Sequence, residues 1–305
     1  MSQPTAFEVE PEPPSEDCPG PGVYNGVSFA EYHDWDAINH SRLPLIDKSS
    51  LHCFVGRSYE ETDAMRFGSL VHCGKLEPDS IAARYMVMPD YANHADNVTS
   101  KGEKPLSPAA TTWYKNKKAM FEEVARQLGK LVVTQPLYDN LQLSLAAMLT
   151  ETRITDAVNR GRSEVSIVWH DRHTGIRCKA RIDCVADILI DLKTHEDAKS
   201  PSPLPISFEW SMYQRNYYSQ AAWYQAGWEA VTGQRLPFWF CVVSTTPPIQ
   251  CIAAPVGEMT LRLGRDKNQE RLALYAQCKA SGVWPGYSSP ELFELPDRYF
   301  ESEED

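Results

Sequence analysis

The stretch RIDCVADILIDLKT, residues 181–194, sets three aspartates and a lysine among apolar residues of the kind that fill the middle of a sheet. Side chains along a strand alternate between its faces, so Asp191 and Lys193 project from one face and Leu192 from the other. Asp183 ends the preceding run, and the link through Val185 and Ala186 is short enough to bring its carboxylate beside Asp191. Two converging carboxylates with an ammonium close by offer a hard divalent cation its oxygen ligands and leave room for water and a substrate phosphate. The lysine is placed to orient or activate an attacking water, or to stabilise charge growing on a phosphoryl group. By itself D-x-K is a common pattern, and an exposed ion pair at a strand end produces it too. Buried charge at the centre of a sheet argues for chemistry over a purely structural scaffold.

The flanking sequence builds the sheet around this stretch. SEVSIVWH from Ser163, GIRCKARID and ADILIDLKT are short Ile- and Val-rich runs separated by a turn and a brief link, which predicts three consecutive antiparallel strands. PFWFCVVST and IQCIAAPV predict two more. Between the two groups, SFEWSMYQRNYYSQAAWYQAGWEAVTG reads as one long amphipathic helix ending at Gly233, and a last helix is expected from about Gly257 to Ser281. Upstream, Ser41 is a candidate N-cap before RLPLIDKS and Thr62 before DAMRFGSLVHCGKLEP, which Pro78 closes. Residues 86–106 read as a polar mobile loop, and helices are expected near Pro108–Leu128 and Leu137–Thr150. The predicted architecture is α/β (α+β mixed), a central mixed sheet with helices on both faces.

The net charge of −11 argues at first against a nucleic-acid partner. Its distribution removes the objection. Residues 1–20 hold five acids and residues 301–305 four, with no Lys or Arg in either segment, so the body between them carries only −2. The Pro- and Glu-rich residues 1–22 read as a disordered tail and 299–305 as an acidic one, leaving residues 23–298 as a single domain with an N-terminal helical part. No run of about 18 apolar residues is present and the N-terminus lacks an export signal, which predicts a cytoplasmic protein that engages no membrane. Eight scattered cysteines with no CxxC pair indicate neither a disulfide framework nor a zinc ribbon. His170, His173, Cys178 and Cys184 have loosely metal-like spacing, but a hairpin turning at Asp171–Gly175 accounts for them.

RID, seven intervening residues and then DLKT resemble the PD-(D/E)xK nuclease signature, and within that superfamily the chain is similar to phage and prophage exonucleases of the RecE (exonuclease VIII) type. FGSLVHCGKLEPD (67–79) resembles the helix that supplies a metal-binding histidine, here His72. SEVSIVW resembles the strand whose glutamate, Glu164, faces the site, and NYYSQAAWY the Gln-x-x-x-Tyr helix motif, which puts Gln220 and Tyr224 one turn apart on one helix face. SGVWPGYS before LPDRYF is also family-like; Ile182 stands where the motif has proline, a position that is not a ligand. An iron-sulfur cluster of the kind in some related nucleases is excluded by the wide spacing of Cys241, Cys251 and Cys278.

The resemblance implies a restriction-endonuclease-like core and a Mg²⁺-dependent exodeoxyribonuclease, with Mn²⁺ as a substitute ion. His72, Asp183 and Asp191 would bind metal, Lys193 would assist the attacking water, and Glu164, Gln220 and Tyr224 would complete the catalytic set. It further implies 5′ to 3′ degradation of linear double-stranded DNA, a ring-like homo-oligomer and a single-strand annealing protein as recombination partner. Three alternatives stay open: a related endonuclease, an inactive DNA-binding or assembly module of the same fold, and a zinc-binding regulator built on His170 to Cys184. Asp187 matches no ligand position and reads as a turn residue.

Overall fold

A computed structural model describes residues 6–8, 18–56, 61–196 and 200–289. In chain order its strands are β1 (Ala6–Glu8), β2 (Gly22–Tyr24), β3 (Tyr85–Met88), β4 (Leu131–Thr134), β5 (Arg162–His170), β6 (Arg177–Val185), β7 (Leu189–His195), β8 (Phe238–Ser244), β9 (Cys251–Pro255) and β10 (Val283–Pro285). The helices are α1 (Phe29–Asp34), α2 (Ser50–Val55), α3 (Asp63–Leu76), α4 (Ile81–Arg84), α5 (Thr112–Gln127), α6 (Gln135–Leu149), α7 (Thr152–Arg160), α8 (Leu204–Gln214), α9 (Tyr217–Thr232) and α10 (Glu258–Ser281).

The main sheet has six strands in the order β2-β5-β6-β7-β8-β9. The β5-β6-β7 meander is antiparallel, as the sequence predicts; β7 and β8 then pair in parallel, which the crossover through α8 and α9 makes possible, and β9 returns antiparallel. This is the predicted mixed sheet with helices on both faces. One core forms where Val165, Ile167, Ile182 and Phe240 meet Ala222, Trp223 and Trp228 of α9 and Leu261 and Leu272 of α10. The other joins Ile190, Leu192 and Cys241 to Phe67, Leu70 and Val71 of α3 and to Leu141 and Met148 of α6. Helices α9 and α10 touch so closely that a Cβ at Gly264 would sit 2.5 Å from the Tyr218 carbonyl oxygen, so only glycine fits there.

Several local expectations change. Thr62 does cap α3, accepting the Met65 N–H. Ser41 caps nothing: Leu43–Asp47 is a 3₁₀ turn, and the Asn39 side chain accepts the Arg42 N–H that leads into it. The single long helix is two, broken where Asn216 adopts a left-handed backbone with φ 59°. Asparagine tolerates that conformation, and its Oδ1 accepts a hydrogen bond from Arg271 Nη2 at 2.7 Å. Of the polar stretch 86–106, Met86–Met88 belongs to β3, which pairs in parallel with β4, and buried Asn97 donates to the carbonyls of Ala92 and Pro108. At the N-terminus, Ala6–Glu8 pairs with β10, so this part of the acidic segment joins the fold. The rest of residues 1–17, and 290–305, lie outside the described residues. Among the described residues no helix is long and apolar enough to cross a membrane.

Candidate active site

The β5–β6 ladder runs from Arg162↔Val185 to His170↔Arg177, and the directly opposed pair Glu164 and Asp183 alone makes no bridge in it. Glu164 has φ 56°, a left-handed conformation that costs a residue with a Cβ about 1–3 kcal/mol. Opposed like charges weaken a strand pair further. Glu164 and Asn216 are the two non-glycine residues with positive φ among the described residues, and both adjoin the functional cluster. Such strain persists where the surrounding structure enforces a useful geometry.

On its other side β6 pairs with β7 only at Cys184↔Ile190 and Val185↔Leu189, after which the strands part. The Asp183 carboxylate fills the gap: its Oδ2 accepts the Leu192 N–H at 2.7 Å. Helix α3 packs across β7 and brings His72 to the same place, with Nδ1 3.5 Å from Asp183 Oδ2 and Nε2 2.9 Å from the Leu192 carbonyl oxygen. His72, Glu164 and Asp183 thereby offer three ligand atoms within 4.8 Å of one another. One imidazole, two carboxylates and an adjacent main-chain carbonyl form a donor set suited to an oxygen-preferring divalent cation. The sequence could not show the carbonyl, because a backbone oxygen leaves no mark on residue identity.

Asp191 stands apart from that trio. It is 1% exposed; one oxygen is ion-paired with Lys193 Nζ and the other accepts from Gln220 Nε2 at 3.1 Å. Gln220 Nε2 also donates to the Tyr224 hydroxyl at 3.0 Å, so the Gln-x-x-x-Tyr pair on α9 acts as a unit that fixes Asp191. All seven residues singled out in the sequence therefore occupy one neighbourhood, in two groups: the trio of His72, Glu164 and Asp183, and the linked set of Asp191, Lys193, Gln220 and Tyr224.

Electrostatics separates the groups further. Burial drives the Asp183 carboxyl up to about 7; Asp191 and Glu164 add to the rise, while His72 and Lys193 oppose it. A cation reverses this by stabilising the ionised form. Burial alone would lower the Lys193 pKa, but Asp191 and Asp183 outweigh it and the net shift is upward, so the side chain stays an ammonium. Lys193 is thus a source of positive charge. Burial, with Asp191 next in effect, pushes the Tyr224 phenol well above its usual value and keeps it protonated.

Two residues that sequence reasoning missed complete the cluster. Arg181 Nε lies 2.5 Å from Glu164 Oε2, and its Nη1 donates to the Val27 carbonyl at 2.7 Å. Its signal was present: two residues before Asp183 on one strand, it shares that residue's face. Arg271 on α10 is 2% exposed and donates to Asp47, Ser219 and Asn216. The Asn216 carbonyl in turn accepts the Gln220 N–H, so Arg271 anchors the turn of helix that presents Gln220. No pattern in the sequence indicates that link.

The remaining motifs are structural. Asp171 Oδ1 accepts N–H groups of His173 and Thr174 in the β5–β6 hairpin, with Gly175 left-handed. Cys178 and Cys184 are both buried on β6, six residues apart or roughly 20 Å along a strand, so the zinc arrangement does not assemble. Asp187 occupies the link between β6 and β7 and pairs with Arg153 at 2.7 Å.

The profile of a family described as "PDDEXK-like domain of unknown function (DUF3799)" matches residues 49–291. Among solved structures the chain is similar to a candidate exonuclease from Eubacterium rectale, at 13% identity and TM-score 0.45, covering 88% of this chain and 94% of that one. It is also similar to the protein SSO0001, at 14% identity and TM-score 0.23, covering 67% and 85%. A search of curated proteins finds no match.

Proposed function

We infer that this chain, which belongs to the PDDEXK-like domain family, is a metal-dependent deoxyribonuclease. One observation carries the reading: the donor set of His72, Glu164, Asp183 and the Leu192 carbonyl lies beside a half-buried ammonium, Lys193, that Asp191 holds charged. A divalent cation in that donor set, Mg²⁺ with Mn²⁺ as substitute, would polarise the scissile phosphate and acidify a bound water. Lys193 stabilises negative charge growing on the phosphoryl oxygens. Gln220 and Tyr224 hold Asp191, and through it Lys193, in place. Arg181 pairs with Glu164 and offsets the repulsion between Glu164 and Asp183. Asp191 enters the coordination only if it gives up part of its pairing with Lys193.

Resemblance to RecE-type exonucleases supports the finer reading: 5′ to 3′ degradation of linear duplex DNA in phage-type recombination, by a homo-oligomeric ring in the cytoplasm working with a single-strand annealing protein. Purified protein incubated with end-labelled linear duplex, in Mg²⁺, in Mn²⁺ and in EDTA, tests both levels. Labelled nucleotides should appear only with metal and should vanish in Asp183→Asn and Lys193→Met. Release equal to those variants with every divalent ion sinks the nuclease reading and leaves an inactive DNA-binding module. Cleavage of a covalently closed circle identifies an endonuclease.

A further inference from the structure

Helix α8 follows β7 in the chain and buries Leu204, Ser207 and Phe208. Its opposite side carries Ile206, Trp210 and Tyr213, which are 48%, 65% and 66% exposed. The spacing i, i+4, i+7 aligns them on one helix face. At the C-terminal end of that face the Tyr213 ring stacks on Tyr218, with centroids 6.0 Å apart and planes at 16°. Immediately beyond, Arg215, Asn216 and Tyr217 enter a cleft of about 230 Å³ that also contains Lys193, Gln220 and Tyr224. In a chain of net charge −11, this cleft is lined, among the described residues, by Lys193, Arg215 and uncharged side chains, with no carboxylate. Lys193 Nζ sits 4.7 Å from the centre of the Tyr217 ring.

We propose that α8 is a stacking platform for unpaired DNA. The single strand lays its bases on Trp210 and Tyr213 and passes its backbone past Arg215 into the Lys193 cleft. The inference rests on the nuclease reading and adds to it the state of the strand at the site. Three observations favour a single strand over duplex DNA or protein. Bases in a duplex hide their faces in the helical stack, so exposed flat rings on a convex helix can engage only unpaired bases. Cβ atoms of residues three apart on a helix are about 5–6 Å apart, so neighbouring nucleotides of one strand reach both rings. The cleft suits the phosphates of a single strand, since Lys193 and Arg215 are the charged residues in its described lining. Glu209 borders the stripe, which directs the phosphates to the Arg215 side.

Binding measured in EDTA, where no strand is cut, tests this by fluorescence anisotropy on the full chain. The probes are a short labelled single strand without self-complementarity and a blunt duplex of the same sequence. Trp210→Ala with Tyr213→Ala should lose about tenfold or more in single-strand affinity, and Trp210→Phe with Tyr213→Phe should stay within about threefold of wild type. Blunt-duplex affinity should hardly change in either variant, and Glu209→Gln should tighten single-strand binding. Unchanged affinity in the alanine variant overturns the proposal, as does equal loss in the phenylalanine variant. Light scattering that shows the alanine variant losing self-association also overturns it, assigning the stripe to a contact between copies. The two readings fail separately. Duplex degradation by wild type without ring-dependent strand binding removes only the platform; ring-dependent binding without cleavage in any divalent ion removes only the nuclease.

Discussion

Two lysines, one buried and one half-buried, stand on adjacent strands of the sheet, and the protein treats them in opposite ways. Lys179 on β6 is 3% exposed and donates to three main-chain carbonyls where α1 ends, those of Tyr32 at 2.8 Å, His33 at 2.9 Å and Trp35 at 2.7 Å. Burial pushes its pKa down to about 8. Lys193 on β7 is met instead by the Asp191 carboxylate, and its pKa ends above the ordinary value although burial opposes that. Carbonyl dipoles make the first lysine a staple that fixes the end of a helix. A carboxylate makes the second a fixed positive charge next to a cleft. Buried charge in a sheet, taken at sequence level as a sign of chemistry, therefore marks a function only when the partners and an opening go with it.

The comparison breaks if the two lysines respond alike to substitution. Lys193→Met should reduce cleavage of linear duplex by about 10²–10⁴-fold, because it removes transition-state charge stabilisation. Its denaturation midpoint should fall as well, because Asp191, 1% exposed, is left without its cation, so cleavage is read per folded molecule. Lys179→Met should lose about 3 kcal/mol in urea denaturation as three carbonyls lose their donor, yet keep activity per folded molecule within about twofold of wild type. A Lys179 variant that folds normally but does not cleave would abolish the distinction.

Arg271→Met sharpens the comparison by loosening Lys193's surroundings from a distance. Stability should fall by about 2 kcal/mol as Asp47 loses its partner, and kcat should drop more than KM rises, because Asn216 then no longer fixes Gln220 against Asp191. A pure stability loss with unchanged kcat would confine Arg271 to a structural role. The last effect is a pH dependence that belongs to the carboxylate side. Asp183 is raised in the folded chain, so between about pH 4 and pH 7 the native state binds the extra proton. In metal-free buffer stability should decline as pH rises through that window. Divalent metal should cancel the decline, and Asp183→Asn should abolish it. A profile that rises with pH through the window in wild type but not in Asp183→Asn would mean that the carboxyl is lowered.

The meander and the Thr62 cap were legible because strand patterning and capping are local, whereas the parallel pairing of β8 with β7 is set by the crossover between them. The break at Asn216 was not. Apolar spacing continues smoothly through QRNYY, and the cause of the break is Arg271, distant in sequence. The β3–β4 pair escaped because two four-residue parallel strands carry too short a pattern to register. At the site, residue types and order indicated which side chains converge, but not their division into a ligand trio and a self-linked set of four. That division depends on which carboxylate Lys193 reaches, and on a left-handed Glu164 that no propensity would place inside a strand.

The parting of β6 and β7 gives the molecule a reporter. The Leu192 amide is held by Asp183 Oδ2, where a sheet would ordinarily supply a carbonyl from the neighbouring strand. Its hydrogen exchange and its nitrogen chemical shift are therefore tied to the charge on one carboxylate. An ¹⁵N spectrum followed at that single peak would read proton and cation occupancy of the cluster directly, in a protein that need not be turning over any DNA.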